Sequence, residues 1–433
     1  MVVESLASLE GSGFRYVLSR TDFRLVWLAQ VAAQSADKFV MFSLIVLAYD
    51  LSGADIPVAI TLLAYTLPAI VIPPFAGVYA DRHNRKRTMV WANLGRAACV
   101  TLIPLSALIP PFRHDFTHLL LITFAFSSLG QFFSPAEAAA IPTLLPRRAL
   151  LTANSMVLIT MVLTLLVGGA LAPVASRIDR FLPYWIASGL FVVGGALIAL
   201  ATIPRNRPRA EQTSRSAARQ MLEEIREALD YLRNSPVLMT SFAQLSLTVL
   251  VLFMMFTLAP GYVDKVLGIT ALDSYIILVP ATVGAVASAL LLGQFGRNLK
   301  RSRLVALALV STGATLLILS FVPLLLRSVP ELVPLTRWFA AVFSLFLGLE
   351  FGALLIPSLT YLQEHTTDEV RGRIFSLFFL AYNGATAIPV LAAAALADLF
   401  GIRLVIAGLG LILAAGGAAI AFNGDRVYAE ASS

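Results

Sequence analysis

The amino-acid sequence predicts an all-α, polytopic membrane protein whose twelve transmembrane helices form two pseudo-symmetric six-helix bundles. The first observation is composition: 58% of the 433 residues are hydrophobic and only 13% are charged, whereas soluble domains carry about 25% charged residues. The second is spacing. Apolar blocks of about twenty residues, the length needed to cross a hydrocarbon core of about 30 Å, recur between short charged clusters. The third is that the longest hydrophilic segment, 204–236, divides these blocks into six and six.

The apolar blocks define the predicted spans and domains. We expect an N-terminal bundle at 1–203, a cytoplasmic linker at 204–236 and a C-terminal bundle at 237–433. Residues 1–22 lack the apolar core and cleavage site of a signal peptide, so we expect the first span to stay in the membrane. The twelve predicted spans lie near 23–49, 56–80, 88–110, 117–140, 151–175, 183–203, 237–263, 273–296, 303–326, 333–362, 370–397 and 401–422.

The distribution of basic residues orients these spans. When residues at the ends of spans are counted with the adjoining loops, the N-terminal tail, every second loop after it and the C-terminus hold 23 of the 32 Lys and Arg residues, and the alternate loops hold 7. Because such an excess marks the cytoplasmic side, we expect a multi-pass protein of a bacterial cytoplasmic membrane with both termini in the cytoplasm. The same bias accounts for the net charge of +7, so we expect no nucleic-acid partner.

The first span carries a polar stripe. Ionisable residues at mid-span cost roughly 2.5–3.5 kcal/mol each on insertion scales, so each requires a structural or functional reason. Asp37 either takes up and releases a proton or is neutralised by its neighbour Lys38, and the sequence leaves both readings open. We expect the stripe to face water or substrate rather than lipid, because its members lie on one side of the helix. They are Gln30, Gln34, Asp37, Lys38 and Met41.

The loop after the second span, residues 77–87 with the sequence GVYADRHNRKR, places dense charge between two apolar blocks. Topology explains the basic residues there, but it does not explain Asp81. Gly77 would let a neighbouring helix approach closely. Asp81 and Arg82 could then pair with that helix or interact with its N-terminal end, in a contact that breaks and reforms.

Polar residues also lie on later spans. Arg96 on the third span is expected to form a structural ion pair with Glu137, near the cytoplasmic end of the fourth. The single cysteine, Cys99, lies in an apolar run, which excludes an intramolecular disulfide. Further polar or aromatic positions are Gln131 on the fourth span, Thr240, Gln244 and Thr248 on the seventh, and Phe346 and Glu350 on the tenth.

The linker and the outer loops carry weaker patterns. Residues 216–233 place their apolar side chains on one stripe, which predicts an amphipathic helix on the cytoplasmic surface whose simplest role is to tether the two halves. His114 and His118 flank an acidic residue in an outward loop, but no further ligand cluster lies nearby, so we expect no metal site. A Walker-type phosphate loop is absent from the sequence, so ATP hydrolysis is not the energy source and no cofactor is expected.

The motif G-x-x-x-D-R-x-x-R-[KR]-[KR] in residues 77–87 and the six-plus-six layout of the whole chain resemble the major facilitator superfamily of secondary transporters. The resemblance implies a latch between this loop and the start of the eleventh span, which helps to hold an outward-open state. One departure is Asn84, where the family usually has Gly; Asn tolerates positive φ, so we expect the turn to persist. The latch positions are Gly77, Asp81, Arg82, Arg85, Arg371 and Arg373.

Other stretches indicate which branch of the superfamily the chain resembles. Residues 133–142 with 153–154, and residues 370–375, look like the branch that contains macrolide-efflux proteins and siderophore exporters, and lysophospholipid transporters lie near that branch. Residues 168–173 look like a weakened antiporter motif, which favours export over uptake. Arg297 stands where the second half would carry the loop acid, so any latch there is degraded.

The resemblance implies that the first, fourth, seventh and tenth spans line a central cavity, which places Asp37 and Glu350 beside the transport path. A carboxyl group there can take up a proton on one side of the membrane and release it on the other. We therefore predict a monomeric transporter, surrounded by membrane lipids, that exports a small amphipathic compound in exchange for protons by alternating access. One alternative is a lysophospholipid or other lipid transporter of the same fold. The other is a membrane enzyme, and the short outer loops argue against it.

Overall fold

A computed structural model describes residues 13–112, 117–146, 149–204, 226–227, 229–234, 236–295, 301–364 and 387–429. Within these ranges the chain is helical and no residue lies in a β-strand. Ten of the helices described there are long and apolar enough to cross a membrane, and two shorter apolar helices lie at Asp55–Val71 and Ile388–Phe400. The predicted all-α polytopic class is confirmed. Ten predicted spans correspond to these long helices, the second is divided into shorter helices, and residues 370–386 of the predicted eleventh span lie outside the described residues.

The helices begin and end close to the predicted span boundaries. In chain order they are α1 (Phe14–Ser19), α2 (Thr21–Ser52), α3 (Asp55–Thr66), α4 (Pro68–Val71), α5 (Pro73–Arg82), α6 (Arg85–Ser106), α7 (Thr117–Leu144), α8 (Leu150–Ile178), α9 (Leu182–Leu200), α10 (Pro236–Gly261), α11 (Tyr275–Phe295), α12 (Arg301–Arg327), α13 (Leu335–Glu364), α14 (Ala387–Phe400) and α15 (Ile402–Ala429).

The second predicted span is divided into α3, α4 and α5 by proline. Proline lacks a backbone N–H and crowds the preceding turn, so it interrupts the ladder of helical hydrogen bonds. Pro68 and Pro73 begin α4 and α5, and the residues before them, Leu67 and Ile72, keep right-handed helical dihedral angles. The three pieces therefore follow one another as one interrupted helix.

The chain divides into two compact units. The first contains Met1–Leu44 and Leu63–Ala218, and the second contains Ile45–Leu62 and Arg219–Ser433. Packing thus assigns the end of α2 and most of α3 to the second unit, whereas the sequence-based division into 1–203, 204–236 and 237–433 stays a prediction. Most of the amphipathic segment predicted for the linker lies outside the described residues.

In the first unit, α6 packs against both α7 and α9. In the second, α11 packs closely on α13, and α12 on α15. Glycine allows α13 to approach α11: a Cβ atom at Gly348 would lie 1.8 Å from the carbonyl oxygen of Ala281. Small residues bring membrane helices together because lipid provides no hydrophobic force between them.

Large apolar side chains face outward on both units. The exposed fractions of Trp91, Leu121 and Ile388 are 70, 75 and 79%. A protein in water rarely exposes this much apolar surface over whole helices, so these surfaces suit a lipid environment.

Candidate functional site

In the first unit, the carboxylate of Asp37 is surrounded by donors. One of its oxygens, Oδ2, lies 3.0 Å from the Nζ atom of Lys38 and accepts a short hydrogen bond from the hydroxyl of Tyr65. The other, Oδ1, accepts a hydrogen bond from the Nη2 atom of Arg96. The sequence left open whether Lys38 neutralises Asp37, and the structure pairs Asp37 with both cations.

Arg96 is enclosed by aromatic rings as well as paired. Its Cζ atom lies 4.6 Å from the ring centroid of Phe126 and 4.3 Å from that of Phe191, distances at which an aromatic face attracts a cation. Gly130 on α7 leaves room for the guanidinium, because a Cβ atom there would lie 3.3 Å from Cζ. Arg96 does not form the predicted ion pair with Glu137. Asp37 takes that place because it reaches the guanidinium from α2.

The rest of the polar stripe on α2 packs largely inside the first unit, and its contact with water or substrate stays a prediction. Gln30 and Met41 are 1% and 2% exposed, because α2 is surrounded by other helices of the unit. Gln34 accepts a hydrogen bond from Thr164 at 3.3 Å. On α7, Gln131 donates weakly to the carbonyl oxygen of Ser127, at 3.4 Å.

The helix that carries the weakened antiporter motif, α8, packs directly against this stripe. A Cβ atom at Gly168 would lie 2.4 Å from the Cβ atom of Lys38, and one at Gly169 would lie 3.1 Å from the ring of Phe42. The two glycines therefore let α8 approach α2 at the level of Asp37 and Lys38. This packing explains the small residues without assigning them a direction of transport.

In the second unit, Glu350 lies on α13 against hydroxyl groups of α12. Its Oε1 atom accepts a hydrogen bond from Thr315 at 2.9 Å, and the hydroxyls of Ser311 and Thr312 also interact with the carboxyl group. Its Oε2 atom is buried and has no hydrogen-bond partner in the described part of the chain. Among the described residues no Lys or Arg forms an ion pair with Glu350, which distinguishes it from Asp37. Phe346, one turn earlier, is 46% exposed.

The polar residues predicted on the seventh span lie on α10. Thr248 is buried and donates to the carbonyl oxygen of Gln244 at 2.7 Å. Gln244 is 8% exposed, and Thr240 is partly buried. All three belong to the second unit.

A second ionic cluster joins three segments of the second unit that the sequence did not connect. The carboxylate of Asp398 on α14 accepts hydrogen bonds from the backbone N–H groups of Asp55 and Ile56, at 2.9 and 2.8 Å, and so caps the N-terminus of α3. The Nζ atom of Lys265 lies 3.2 Å from Asp55 and 3.3 Å from Asp398. Asp55 is completely buried.

Neighbouring groups support this second cluster. The hydroxyl of Tyr49, near the end of α2, donates to Asp264 at 3.0 Å. Lys265 and Asp264 both lie in a π-helical turn, Tyr262–Val266, that follows α10. Gly261 leaves space for Asp55, because a Cβ atom there would lie 2.2 Å from the Oδ1 atom of Asp55. The only sequence signal was the position of these acids at the ends of apolar blocks.

The predicted latch is described only in part. The side chain of Asp81 lies outside the described residues, as do Arg371 and Arg373. A Cβ atom at Gly77 would meet no described atom within 4 Å. Arg82 is exposed, and Arg85 donates to the carbonyl oxygen of Ala139 at 2.8 Å.

Two residues at the loops, Asn84 and His118, form hydrogen bonds. Asn84 does not adopt positive φ: its φ is −68°, and its side chain caps α6 by accepting a hydrogen bond from the N–H of Arg87 at 3.1 Å. Asn is a favoured residue at the start of a helix, and this cap takes the place of the expected turn with positive φ. His114 lies outside the described residues, and His118 contacts the hydroxyl of Ser106 at 2.8 Å. The described part of the chain holds no cluster of His, Cys, Asp or Glu suited to a metal ion.

A family model described as Major Facilitator Superfamily matches residues 26–390. Macrolide efflux protein A of Streptococcus pyogenes is 23% identical over 386 residues, which cover 88% of this chain and 90% of the relative. The putative bacilysin exporter BacE of Bacillus subtilis is 24% identical over 325 residues, covering 71% of this chain and 72% of the relative.

Solved structures resemble the fold at lower identity. The bacterial homolog to the human lysosomal transporter Spinster, in an inward-facing and occupied conformation, matches with a TM-score of 0.67 and 11% identity, over 95% of this chain and 98% of that one. The nucleoside transporter NupG matches with a TM-score of 0.63 and 13% identity, over 93% of this chain and 99% of that one. These likenesses concern the fold alone.

Proposed function

Because the family model covers most of its length, this chain belongs to the major facilitator superfamily, and we propose that it couples proton entry to the export of an amphipathic organic compound. The family and the structural neighbours indicate a transporter rather than an enzyme. Transporters of this kind work by alternating access around a site between two halves. The protein is accordingly a multi-pass membrane protein, and we propose that both termini lie in the cytoplasm.

The observation that carries the proton coupling is the environment of Glu350. A buried carboxyl group must be hydrogen-bonded, paired or protonated, because an isolated buried charge is costly. Glu350 has hydroxyl partners and, among the described residues, no paired cation. A hydroxyl both donates and accepts, so Thr315 can satisfy the carboxylate and the neutral acid alike. Such a setting supports the reversible uptake of one proton.

Asp37 is a second candidate carrier with a different setting. Two cations and the hydroxyl of Tyr65 converge on its carboxylate, and this arrangement suits a charged group. We propose that Asp37 takes a proton only when Lys38 or Arg96 moves away from it. In the resting arrangement the network holds α2 against α6.

Export of an amphipathic compound is supported by the named relatives. One is a macrolide efflux protein and another a putative bacilysin exporter, at 23% and 24% identity. The residues proposed to meet substrate include amides, hydroxyls, Met and Phe, a mixture that suits a molecule with both polar and apolar parts. They are Gln30, Gln34, Lys38, Met41, Gln131, Thr240, Gln244, Thr248 and Phe346.

The proton gradient is sufficient for this work. One proton crossing 100 mV releases about 2.3 kcal/mol, and about 1.4 kcal/mol corresponds to a tenfold concentration ratio. One proton per molecule can therefore raise the gradient of a neutral substrate by more than tenfold.

The latch of Asp81 and Arg82 with the segment that contains Arg371 and Arg373 remains part of the proposal, as the contact that favours the outward-open state.

Transport by the purified full chain tests the substrate class. We expect acid-loaded proteoliposomes to accumulate radiolabelled erythromycin at least threefold above protein-free liposomes with the same gradient, and a protonophore to abolish the difference. Translocation of a fluorescent lysophosphatidylcholine, without gradient-dependent erythromycin transport, would contradict drug export and support the lipid alternative. The protein-free liposomes control for passive trapping of a weak base.

A further inference from the structure

Three polar side chains of the first unit are buried and carry atoms that have no hydrogen-bond partner among the described residues. Gln30, Asn93 and Glu137 are 1, 0 and 7% exposed. Within that part of the chain, no partner is found for either side-chain amide atom of Gln30 or Asn93, for the Oε1 atom of Glu137, or for the Nε atom of Arg96. Each buried polar atom left unpaired costs about 1–3 kcal/mol, so a stable fold requires something that bonds to them.

The three side chains belong to one region of the bundle. Their chain neighbours Ala29, Ala92 and Ala136 are members of the same buried cluster, to which α2, α6 and α7 contribute. The Nδ2 atom of Asn93 and the carbonyl oxygen of Ala29 both lie beside Gly194, at 3.1 and 3.2 Å from the position of a Cβ atom there. The amide of Asn93 therefore adjoins the backbone next to Gln30.

Helical geometry aligns this region with the Asp37–Arg96 pair. Residues seven apart in a helix lie on nearly the same face, about two turns or 10 Å from each other. Gln30 precedes Asp37 by seven residues, and Glu137 follows Gly130, which touches the guanidinium of Arg96, by seven. Asn93 lies one turn from Arg96 in α6. The polar groups thus form a file from the Asp37–Arg96 pair towards the end of the bundle where Arg85 contacts Ala139.

The charged and titratable groups around Glu137 do not neutralise it. Within the described part of the chain none of those on the packed helices forms an ion pair with Glu137. They are Tyr79 and Arg82 on α5, Arg85, Lys86, Arg87, Arg96 and Cys99 on α6, Arg177 on α8, and Asp37 and Lys38 on α2.

We propose that Gln30, Asn93 and Glu137 bind a file of internal water molecules, and that Glu137 passes protons along it between the Arg85 end of the bundle and Asp37. Internal water typically makes about three hydrogen bonds to otherwise unpaired buried groups, which matches the side-chain amides of Gln30 and Asn93, whose donors and acceptors have no partner among the described residues. The acid proton of Glu137 passes to a water molecule, each water passes one proton on, and the carboxylate of Asp37 accepts the last. Glu137 is then charged and Asp37 neutral.

This inference rests on the proposed function in one respect only, namely that the transferred proton drives transport. The site itself can be tested without substrate or gradient. Glu137→Gln keeps the size of the side chain and removes the acid, and the double variant Gln30→Leu with Asn93→Leu removes the water-binding amides. Gln34→Leu is the matched control on α2, because Gln34 already bonds to Thr164.

Infrared spectra of the full-length protein in liposomes, recorded across a pH titration and after transfer to D2O, supply the measurement. We expect Glu137→Gln to lose one carboxylic-acid band that Glu350→Gln retains. The double variant should slow deuteration of that band at least tenfold, and Gln34→Leu should leave the rate within twofold.

Loss of no band in Glu137→Gln would overturn the role of the carboxyl group, and unchanged deuteration in the double variant would overturn the water file. If the double variant does not fold, the spectrum of the nearly isosteric Glu137→Gln alone decides the proposal. Failure of proton-coupled transport in the wild type would contradict the proposed function and leave these spectra unaffected, so the two can be told apart.

Discussion

Thr315 donates a hydrogen bond of 2.9 Å to Glu350 and thereby joins α12 to α13 at a partly buried side chain. The other carboxyl oxygen, Oε2, is buried and has no hydrogen-bond partner among the described residues. Because a threonine hydroxyl can reverse its role from donor to acceptor, this contact persists when Glu350 gains or loses a proton. The pair therefore allows protonation without rearrangement of the helices.

Removal of the Thr315 hydroxyl tests this relationship. Thr315→Val keeps the shape of the side chain and removes one of the hydroxyl donors of Glu350. We expect gradient-driven transport to fall at least tenfold in proteoliposomes, because the charged form loses the hydrogen bond that stabilises it. Thr315→Ser retains a hydroxyl and should keep most of the activity. Equal activity of the valine and wild-type proteins would show that the hydroxyl has no part in coupling.

Asp37→Asn should destabilise the first unit. Arg96 is buried and enclosed by two rings, and removing one partner of a buried ion pair typically costs about 3–5 kcal/mol. The thermal midpoint of the detergent-solubilised protein should therefore fall clearly.

A double variant controls for the loss of the pair itself. Asp37→Asn with Arg96→Met removes both charges, so its midpoint should lie above that expected from adding the two single effects. Strict additivity would mean that Asp37 and Arg96 do not interact in the folded protein.

Asp398→Ala should weaken the second unit through the start of α3. The carboxylate caps two backbone N–H groups, those of Asp55 and Ile56, and loss of a capping side chain costs about 0.5–2 kcal/mol. Asn also caps well, so Asp398→Asn should lose less stability than the alanine variant. Hydrogen exchange at the amides of Asp55 and Ile56 reports the effect locally. Equal protection in Asp398→Ala and the wild type would refute the capping role.

Glycine packing gives a matched pair of substitutions. A Cβ atom at Gly348 would lie 1.8 Å from the carbonyl oxygen of Ala281, whereas one at Gly408 would meet no described atom within 4 Å. Backbone cannot move aside cheaply in a close-packed interior. Gly348→Ala should therefore lower the thermal midpoint strongly and Gly408→Ala should not. Similar midpoints for the two variants would show that α11 and α13 do not approach as closely as described.

Composition and spacing were sufficient to predict the all-α membrane class, because a helix that crosses the lipid core needs about twenty mostly apolar residues and so appears as a long apolar block. Proline placement in the second span changed one predicted helix into three pieces. The sequence also identified Asp37 and Lys38 as neighbours. It could not identify Tyr65 as a partner, because helix period fixes faces within one helix but not the pairing of faces between helices.

The same limit explains two contacts that the sequence did not predict, the Asp37–Arg96 ion pair and the Asp398 cap at Asp55. Arg96 was matched to Glu137 by depth along the helices, but the guanidinium reaches Asp37 instead. Asp55 and Asp398 are 343 residues apart, and each reads as an ordinary helix-end acid. Only packing in three dimensions shows that one caps the helix that the other begins.

Substrate-dependent proton flux tests the central claim most directly. Purified wild-type protein, Glu350→Gln and the exposed control Glu331→Gln would be reconstituted with a pH-sensitive dye inside the vesicles, and erythromycin added. Proton coupling through Glu350 predicts flux in the wild type and in Glu331→Gln, and at least a tenfold loss in Glu350→Gln with erythromycin binding retained. Full flux and full gradient-driven transport in Glu350→Gln would contradict it.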